Sequence, residues 1–150
     1  MKRINAYKKM FNVEGSIELK TLKATYRRLV KQWHPDKFQD DDALKAEAEV
    51  KSQEIIDGYH FLVSIAPETK EANIEAYNAK TTTGGIADFQ YEKKVLEVTF
   101  LDGTVYEYFG VSPQVFQKMV NTDKLMRFSK RNIFNSYLYR QSKKGALQGA

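Results

Sequence analysis

A chain of 150 residues that is 42% hydrophobic and 13% aromatic has apolar material for one ordinary domain or two small ones, which excludes disorder throughout. It has no cysteine, which excludes disulfides, thiolate metal sites and a cysteine nucleophile. The net charge of +5 is uneven: residues 1–80 hold 14 Lys/Arg against 13 Asp/Glu and residues 81–150 hold 10 against 6, a surplus that ordinarily solvates a surface and leaves anion contact open.

The amino-terminal Met1-Lys2-Arg3-Ile4-Asn5-Ala6 places charge where a secretory signal would place an apolar stretch. No run approaches the ~18 apolar residues of a membrane span, so the sequence predicts a soluble, cytoplasmic protein without membrane contact. Ala6-Tyr7-Met10-Phe11 is a short apolar stretch able to close one end of a helical unit. Leu19, Leu22, Tyr26, Leu29 and Trp33 then recur at steps of three and four, the spacing that gathers side chains on one helix face. A second stripe, Ala48, Ser52, Ile55, Tyr59 and Leu62, keeps that rhythm and is widened by Ile56 and Val63. Between the stripes Pro35 pushes His34 out of helical geometry, and any of Asp40, Asp41 and Asp42 can cap the second helix. Two helices joined by so short a loop pair as an antiparallel hairpin. Glu68 to Ala79 is a candidate final helix.

Asn78 to Gly85 lacks apolar anchors and ends in two glycines, which predicts a flexible linker over residues 80–85. Beyond it the period changes to two, with Leu96, Val98 and Phe100 facing one way and Glu97 and Thr99 the other. Asp102-Gly103 is a turn signal before Val105-Tyr106-Glu107-Tyr108-Phe109, and Phe89-Gln90-Tyr91 with Glu92-Lys93-Lys94 supplies an earlier strand and turn. Ser112-Pro113 starts a helix that runs to about Asn121. Lys124 to Arg140 holds one more short helix and an extended Tyr137-Leu138-Tyr139 tail. The predicted fold class is α+β: an all-helical domain at 1–79, an antiparallel β-meander plus helix at 86–141, and a flexible tail at 142–150. The second core is expected from Leu96, Val98, Phe100, Phe109, Val115, Met119 and Phe128, enough for residues 84–150 to fold alone.

The loop sequence His34-Pro35-Asp36, directly after Tyr26-Arg27-Arg28-Leu29-Val30-Lys31-Gln32-Trp33 and before an antiparallel partner helix, resembles the DnaJ-type J domain over about residues 4–77. The resemblance implies a co-chaperone that docks on a DnaK-type heat-shock ATPase through His34, Pro35 and Asp36 and stimulates its ATP hydrolysis. Apart from the family name, Lys20, Lys23, Arg27 and Lys31 recur at i+3 and i+4 steps as a cationic ridge flanked by Arg28, suited to steering toward an acidic surface. With Tyr26 these residues complete the expected docking set. Nothing accompanies His34 and Asp36 as a nucleophile or metal ligand, so no enzyme activity, metal or cofactor is expected. The chain departs from that family at Ser52, where an aromatic is common, and at Lys70-Glu71, where a Lys-Arg pair is common. It also lacks a Gly/Phe-rich stretch and a cysteine-rich zinc module.

The second half resembles the KTSC domain over about residues 84–141, carried by Leu96-Glu97-Val98-Thr99-Phe100, Gly103, Tyr106-Glu107-Tyr108-Phe109, Val111, Phe128, Ile133 and Tyr137-Leu138-Tyr139-Arg140. Asp123-Lys124-Leu125 stands near the place where that family often shows Ser-x-Gly. The resemblance implies a binding module for an unknown protein client or a cellular location. An alternative reading is a nucleic-acid-binding protein in which Lys124, Arg127, Lys130, Arg131, Arg140, Lys143 and Lys144 track phosphates and Tyr137 and Tyr139 stack on RNA bases. In the competing arrangement Phe128, Tyr137 and Tyr139 pack a core and the cations solvate it.

Overall fold

The computed structural model describes residues 2–142. Among them are six helices and a four-stranded antiparallel sheet, an α+β fold, in the order α1 (Lys2–Met10), α2 (Leu19–Trp33), a 3₁₀ turn (Pro35–Phe38), α3 (Asp42–Ile65), α4 (Pro67–Thr83), β1 (Ile86–Glu92), β2 (Val95–Phe100), β3 (Val105–Phe109), α5 (Pro113–Asn121), α6 (Leu125–Asn132) and β4 (Leu138–Ser142). The expected flexible tail lies outside the described residues except for Ser142, which is the last residue of β4. None of the described helices is long and apolar enough to cross a membrane. The chain divides into two compact units between Glu71 and Ala72.

In the first unit, α2 and α3 form the expected antiparallel hairpin. Tyr26 stacks on Tyr59 with ring centroids 4.0 Å apart, while Trp33, further along α2, meets Ser52, which lies earlier on α3. Contacts that retreat along one helix as they advance along the other require antiparallel axes. At the far end, Leu19 N–H donates to Glu68 Oε1 at 3.2 Å. Of the three candidate caps it is Asp41 that starts α3, its carboxylate accepting from Leu44 N–H at 3.1 Å. Helix α1 lies against α3 where Gly58 opens the surface: a Cβ there would sit 2.8 Å from Tyr7 Cδ1 and 3.1 Å from Phe11 Cε2. The core gathers Ile4, Phe11, Ile17, Leu22, Ala48, Ile55, Phe61, Leu62 and Ile65, of which Leu22, Ala48, Ile55 and Leu62 belong to the two stripes.

The second unit is built on a sheet in the order β1-β2-β3-β4, every neighbouring pair antiparallel. Lys93 and Lys94 both take positive φ (50° and 64°) between β1 and β2, the geometry of a type I′ turn, which suits the right-handed twist of the strands. Gly103 (φ 88°) serves the β2–β3 connection. Ser112 caps α5, its hydroxyl accepting from Val115 N–H at 3.3 Å. The Tyr137-Leu138-Tyr139 region, expected as an extended tail, enters β4 and pairs with β3 in full register.

Two expectations are corrected. Residues 80–83, expected as linker, are the last turn of α4, and Thr81 is buried there. Neither Gly84 nor Gly85 takes positive φ; each is small because something is close. A Cβ on Gly84 would sit 2.5 Å from the Lys80 carbonyl oxygen, and one on Gly85 2.6 Å from Leu101 Cδ1. The second correction concerns the core. It contains Leu96, Val98, Phe100, Tyr106, Tyr108, Met119, Ile133 and Phe134, with Val115 and Phe128 against it, and also Tyr77 of α4. Phe109, expected there, is buried outside this cluster, because strand alternation turns Tyr106 and Tyr108 toward Leu96 and Val98.

Tyr77 is the residue that ties α4 into this unit. Its hydroxyl donates to the Phe134 carbonyl at 2.7 Å and, having one hydrogen, accepts from the Tyr108 hydroxyl at 2.8 Å. Its ring lies nearly parallel to that of Tyr139, centroids 4.1 Å apart.

Candidate functional site

The turn after α2 is built by its own sequence. Pro35 removes one amide from the hydrogen-bond requirement of the 3₁₀ turn and fixes φ at its first position. His34 caps the turn: Asp36 N–H donates to His34 Nδ1 at 3.2 Å, and Lys37 N–H donates to the His34 carbonyl at 3.0 Å. With Nδ1 accepting, a neutral His34 carries its proton on Nε2 and presents it outward as a donor. The Asp36 carboxylate lies 3.5 Å from Nδ1 and its side chain is 75% exposed, against 51% for His34. The turn thus displays a hydrogen-bond donor and a carboxylate side by side, two residues apart, on a backbone that proline stiffens.

Three contacts hold the turn on the hairpin. The Ser52 hydroxyl donates to the Trp33 carbonyl at 2.8 Å, the rings of Trp33 and Phe38 approach to 6.4 Å between centroids, and Asp41 N–H donates to the Phe38 carbonyl at 3.3 Å. Sequence reasoning placed Ser52 on the second helical stripe and noted it as a departure from a family pattern, without assigning it this bond. The spacing that puts it on the α2-facing stripe, four residues from Ala48 and three from Ile55, was the available signal.

The expected docking residues on α2 are brought together. Lys23, Arg27, Arg28 and Lys31 are all exposed, as is Lys20, and none of the five is ion-paired among the described residues. Tyr26 is half-buried and its ring is taken up by Tyr59, so it contributes to the hairpin before it contributes to a surface. A shallow cavity floored by Phe11 and Leu22 lies at the opposite end of α2 and does not adjoin the turn. The described residues hold no cluster of His, Asp or Glu suited to a metal ion.

The candidate anion-binding residues of the second unit are not all on offer. Arg140 is 7% exposed and ion-paired with Glu107, directly opposite it across the β3–β4 ladder. It is removed from the candidate set, since a cation in a buried pair is not on offer to phosphate. Lys130 is exposed but its Nζ donates to the Thr82 carbonyl at 2.8 Å. Lys124, Arg127 and Arg131 remain exposed without ion pairs, while Lys143 and Lys144 lie outside the described residues.

The tyrosines expected as stacking platforms are half-buried against the core. Burial pushes the phenols of Tyr77 and Tyr108 well up and that of Tyr106 up to about 12, and raises Tyr139 as well. This is the behaviour of interior hydroxyls.

One family match accords with the meander, its α5 helix and the β2–β3 hairpin. Residues 84–137 match the KTSC domain. The match begins at Gly84 and so leaves out the buried Thr81 and also Tyr77, which joins the core of the second unit from α4. It brings no support to the J-domain resemblance of the helical half, which rests on that half's own residues. No curated protein matches the chain.

Proposed function

We propose that the chain is a J-domain co-chaperone that docks on a DnaK-type heat-shock ATPase and stimulates its ATP hydrolysis, with the KTSC unit serving as a client- or location-binding module. The observation that carries this is the exposed His34-Pro35-Asp36 turn at the tip of an antiparallel hairpin, beside five exposed, unpaired cations on α2. Lys20, Lys23, Arg27, Arg28 and Lys31 supply long-range attraction to an acidic face, and each exposed pair formed adds only about 0.2–1 kcal/mol. Asp36 then offers its carboxylate to a cationic partner group, where a charge-assisted hydrogen bond discriminates by geometry. The chain itself performs no chemistry, needs no cofactor in this role, and works in the cytoplasm where such ATPases act.

The test is steady-state ATP hydrolysis by a purified DnaK-type chaperone with and without the full chain. Stimulation by the parent and none by Asp36→Ala supports the proposal. Equal stimulation by the two, or none by the parent, overturns it. Among the described residues, the nucleic-acid reading keeps Lys124, Arg127 and Arg131 as exposed cations without ion pairs.

A further inference from the structure

We infer that Ser52 is a positioning residue for the His34-Pro35-Asp36 turn. This rests on the proposed docking role of that turn for its functional consequence, but the geometry stands by itself. Helix α2 ends at Trp33, and the carbonyls of its last turn have no partner within the helix. The turn that follows cannot satisfy them, because Pro35 has no N–H and the amides of Asp36 and Lys37 are already given to His34. Ser52, one helix away and 19 residues on, donates its hydroxyl to the Trp33 carbonyl at 2.8 Å. A half-buried polar bond of this kind is directional. It fixes the plane of the peptide from which His34 departs, and hence the direction in which the histidine ring and the Asp36 carboxylate project.

The surroundings fit this use. Ala48, one turn earlier on α3, is fully buried and small, and the 3₁₀ turn packs against α3. Trp33 and Phe38 close the two ends of the turn over one another. No other side chain of the described residues is seen to bond the Trp33 carbonyl, so the hydroxyl is a single point of control. Its removal leaves the hairpin's apolar stripe, Leu22, Ile55 and Leu62, untouched. The consequence belongs to the turn, and not to the affinity supplied by the α2 cations.

The experiment compares the parent, Ser52→Ala and Ser52→Thr as full chains, each shown by its circular-dichroism melt to be folded at the working temperature. Two readouts are taken: amide hydrogen exchange at Asp36 and Lys37, and stimulation of a purified DnaK-type ATPase resolved into its maximum and its half-saturating concentration. Loss of one net hydrogen bond corresponds to an effect on the order of threefold to tenfold. In Ser52→Ala, exchange at the two amides is expected to quicken by that factor and maximal stimulation to fall comparably, with the half-saturating concentration little changed. Ser52→Thr, which keeps the hydroxyl, restores both.

Exchange in Ser52→Ala equal to the parent's overturns the inference whatever the ATPase shows. Equal impairment in the threonine variant overturns the role of the hydroxyl. If exchange responds as expected but the parent itself does not stimulate the ATPase, the positioning stands and the docking proposal falls.

Discussion

Asp36 projects into solvent from a turn with no core volume to lose, so its replacement isolates a charge contact from stability. Asp36→Ala should abolish ATPase stimulation while leaving the melting temperature within about a degree or two of the parent, as expected for exposed substitutions. A variant that melts much earlier would mean the carboxylate holds the turn together instead. Asp102 has the opposite character. Partial burial works against its ionised form, but hydrogen bonds from Thr104 and Lys80 outweigh that and bring its pKa from 3.8 down to about 2. A carboxyl with a depressed folded pKa contributes stability that is complete above its unfolded value and lost as pH falls through the folded one. The gap in stability between the parent and Asp102→Asn should therefore be full at about pH 5 and close between about pH 4 and pH 2, followed by urea unfolding. A gap independent of pH would mean that the ion pair with Lys80 adds nothing.

The sequence narrowed the cap of α3 to Asp40, Asp41 or Asp42 and placed that of α5 at Ser112, because caps act through neighbours in the chain. Arg140 was misread because its partner, Glu107, lies 33 residues away and only the strand register makes them face each other.

At the level of elements, α2 presents exposed cations on one face and buries Leu22 on another. Reversing Arg27 and Lys31 to Glu should slow association with the ATPase, and the defect should shrink as salt rises, since steering is screened over ~10 Å at ~0.1 M ionic strength. A loss that ignores salt would point to misfolding or a different interface. Helix α4 makes a different point. Its buried residues Tyr77 and Thr81 lie ahead of the residues that match the KTSC domain, so a fragment beginning at Gly84 lacks part of the core and a fragment beginning at Ala72 has it. We expect residues 72–150 to unfold cooperatively and residues 84–150 to be markedly less stable. Within the full chain, Tyr77→Phe should cost about 1–3 kcal/mol by leaving Phe134 and Tyr108 short of a partner. Equal stability of the two fragments would show that the tyrosine bonds are dispensable. Helix and strand types were readable from the two periodicities, as Leu22 with Ile55 and Leu96 with Val98 show. The extent of α4 was not, because Asn78 to Thr83 is polar, and a polar helix held by one buried ring has no stripe to read.

For the molecule as a whole, most of the net charge of +5 lies in residues 81–150, which hold 10 Lys/Arg against 6 Asp/Glu. With Arg140 paired and Lys130 bonded to Thr82, the full chain should bind single-stranded RNA weakly, with a shallow dependence on salt. Each phosphate neutralised would add about −0.7 to the log-log slope, so submicromolar binding with a steep slope would restore the nucleic-acid reading. The placement of the chromophores adds a last consequence. The chain's one tryptophan, Trp33, sits immediately before the His34-Pro35-Asp36 turn in the first unit, while the tyrosines with raised phenolic pKa all belong to the second. Indole emission therefore reports the hairpin tip, while phenolate absorbance sums tyrosines of both units, with the raised phenols of Tyr77, Tyr106, Tyr108 and Tyr139 as its interior part. Those phenols favour the folded state fully below about pH 10 and release that advantage as pH rises through about 12, where Tyr106 ionises. An alkaline titration of the unlabelled protein thus keeps an optical probe at the turn, and a partner docking there should perturb the tryptophan emission.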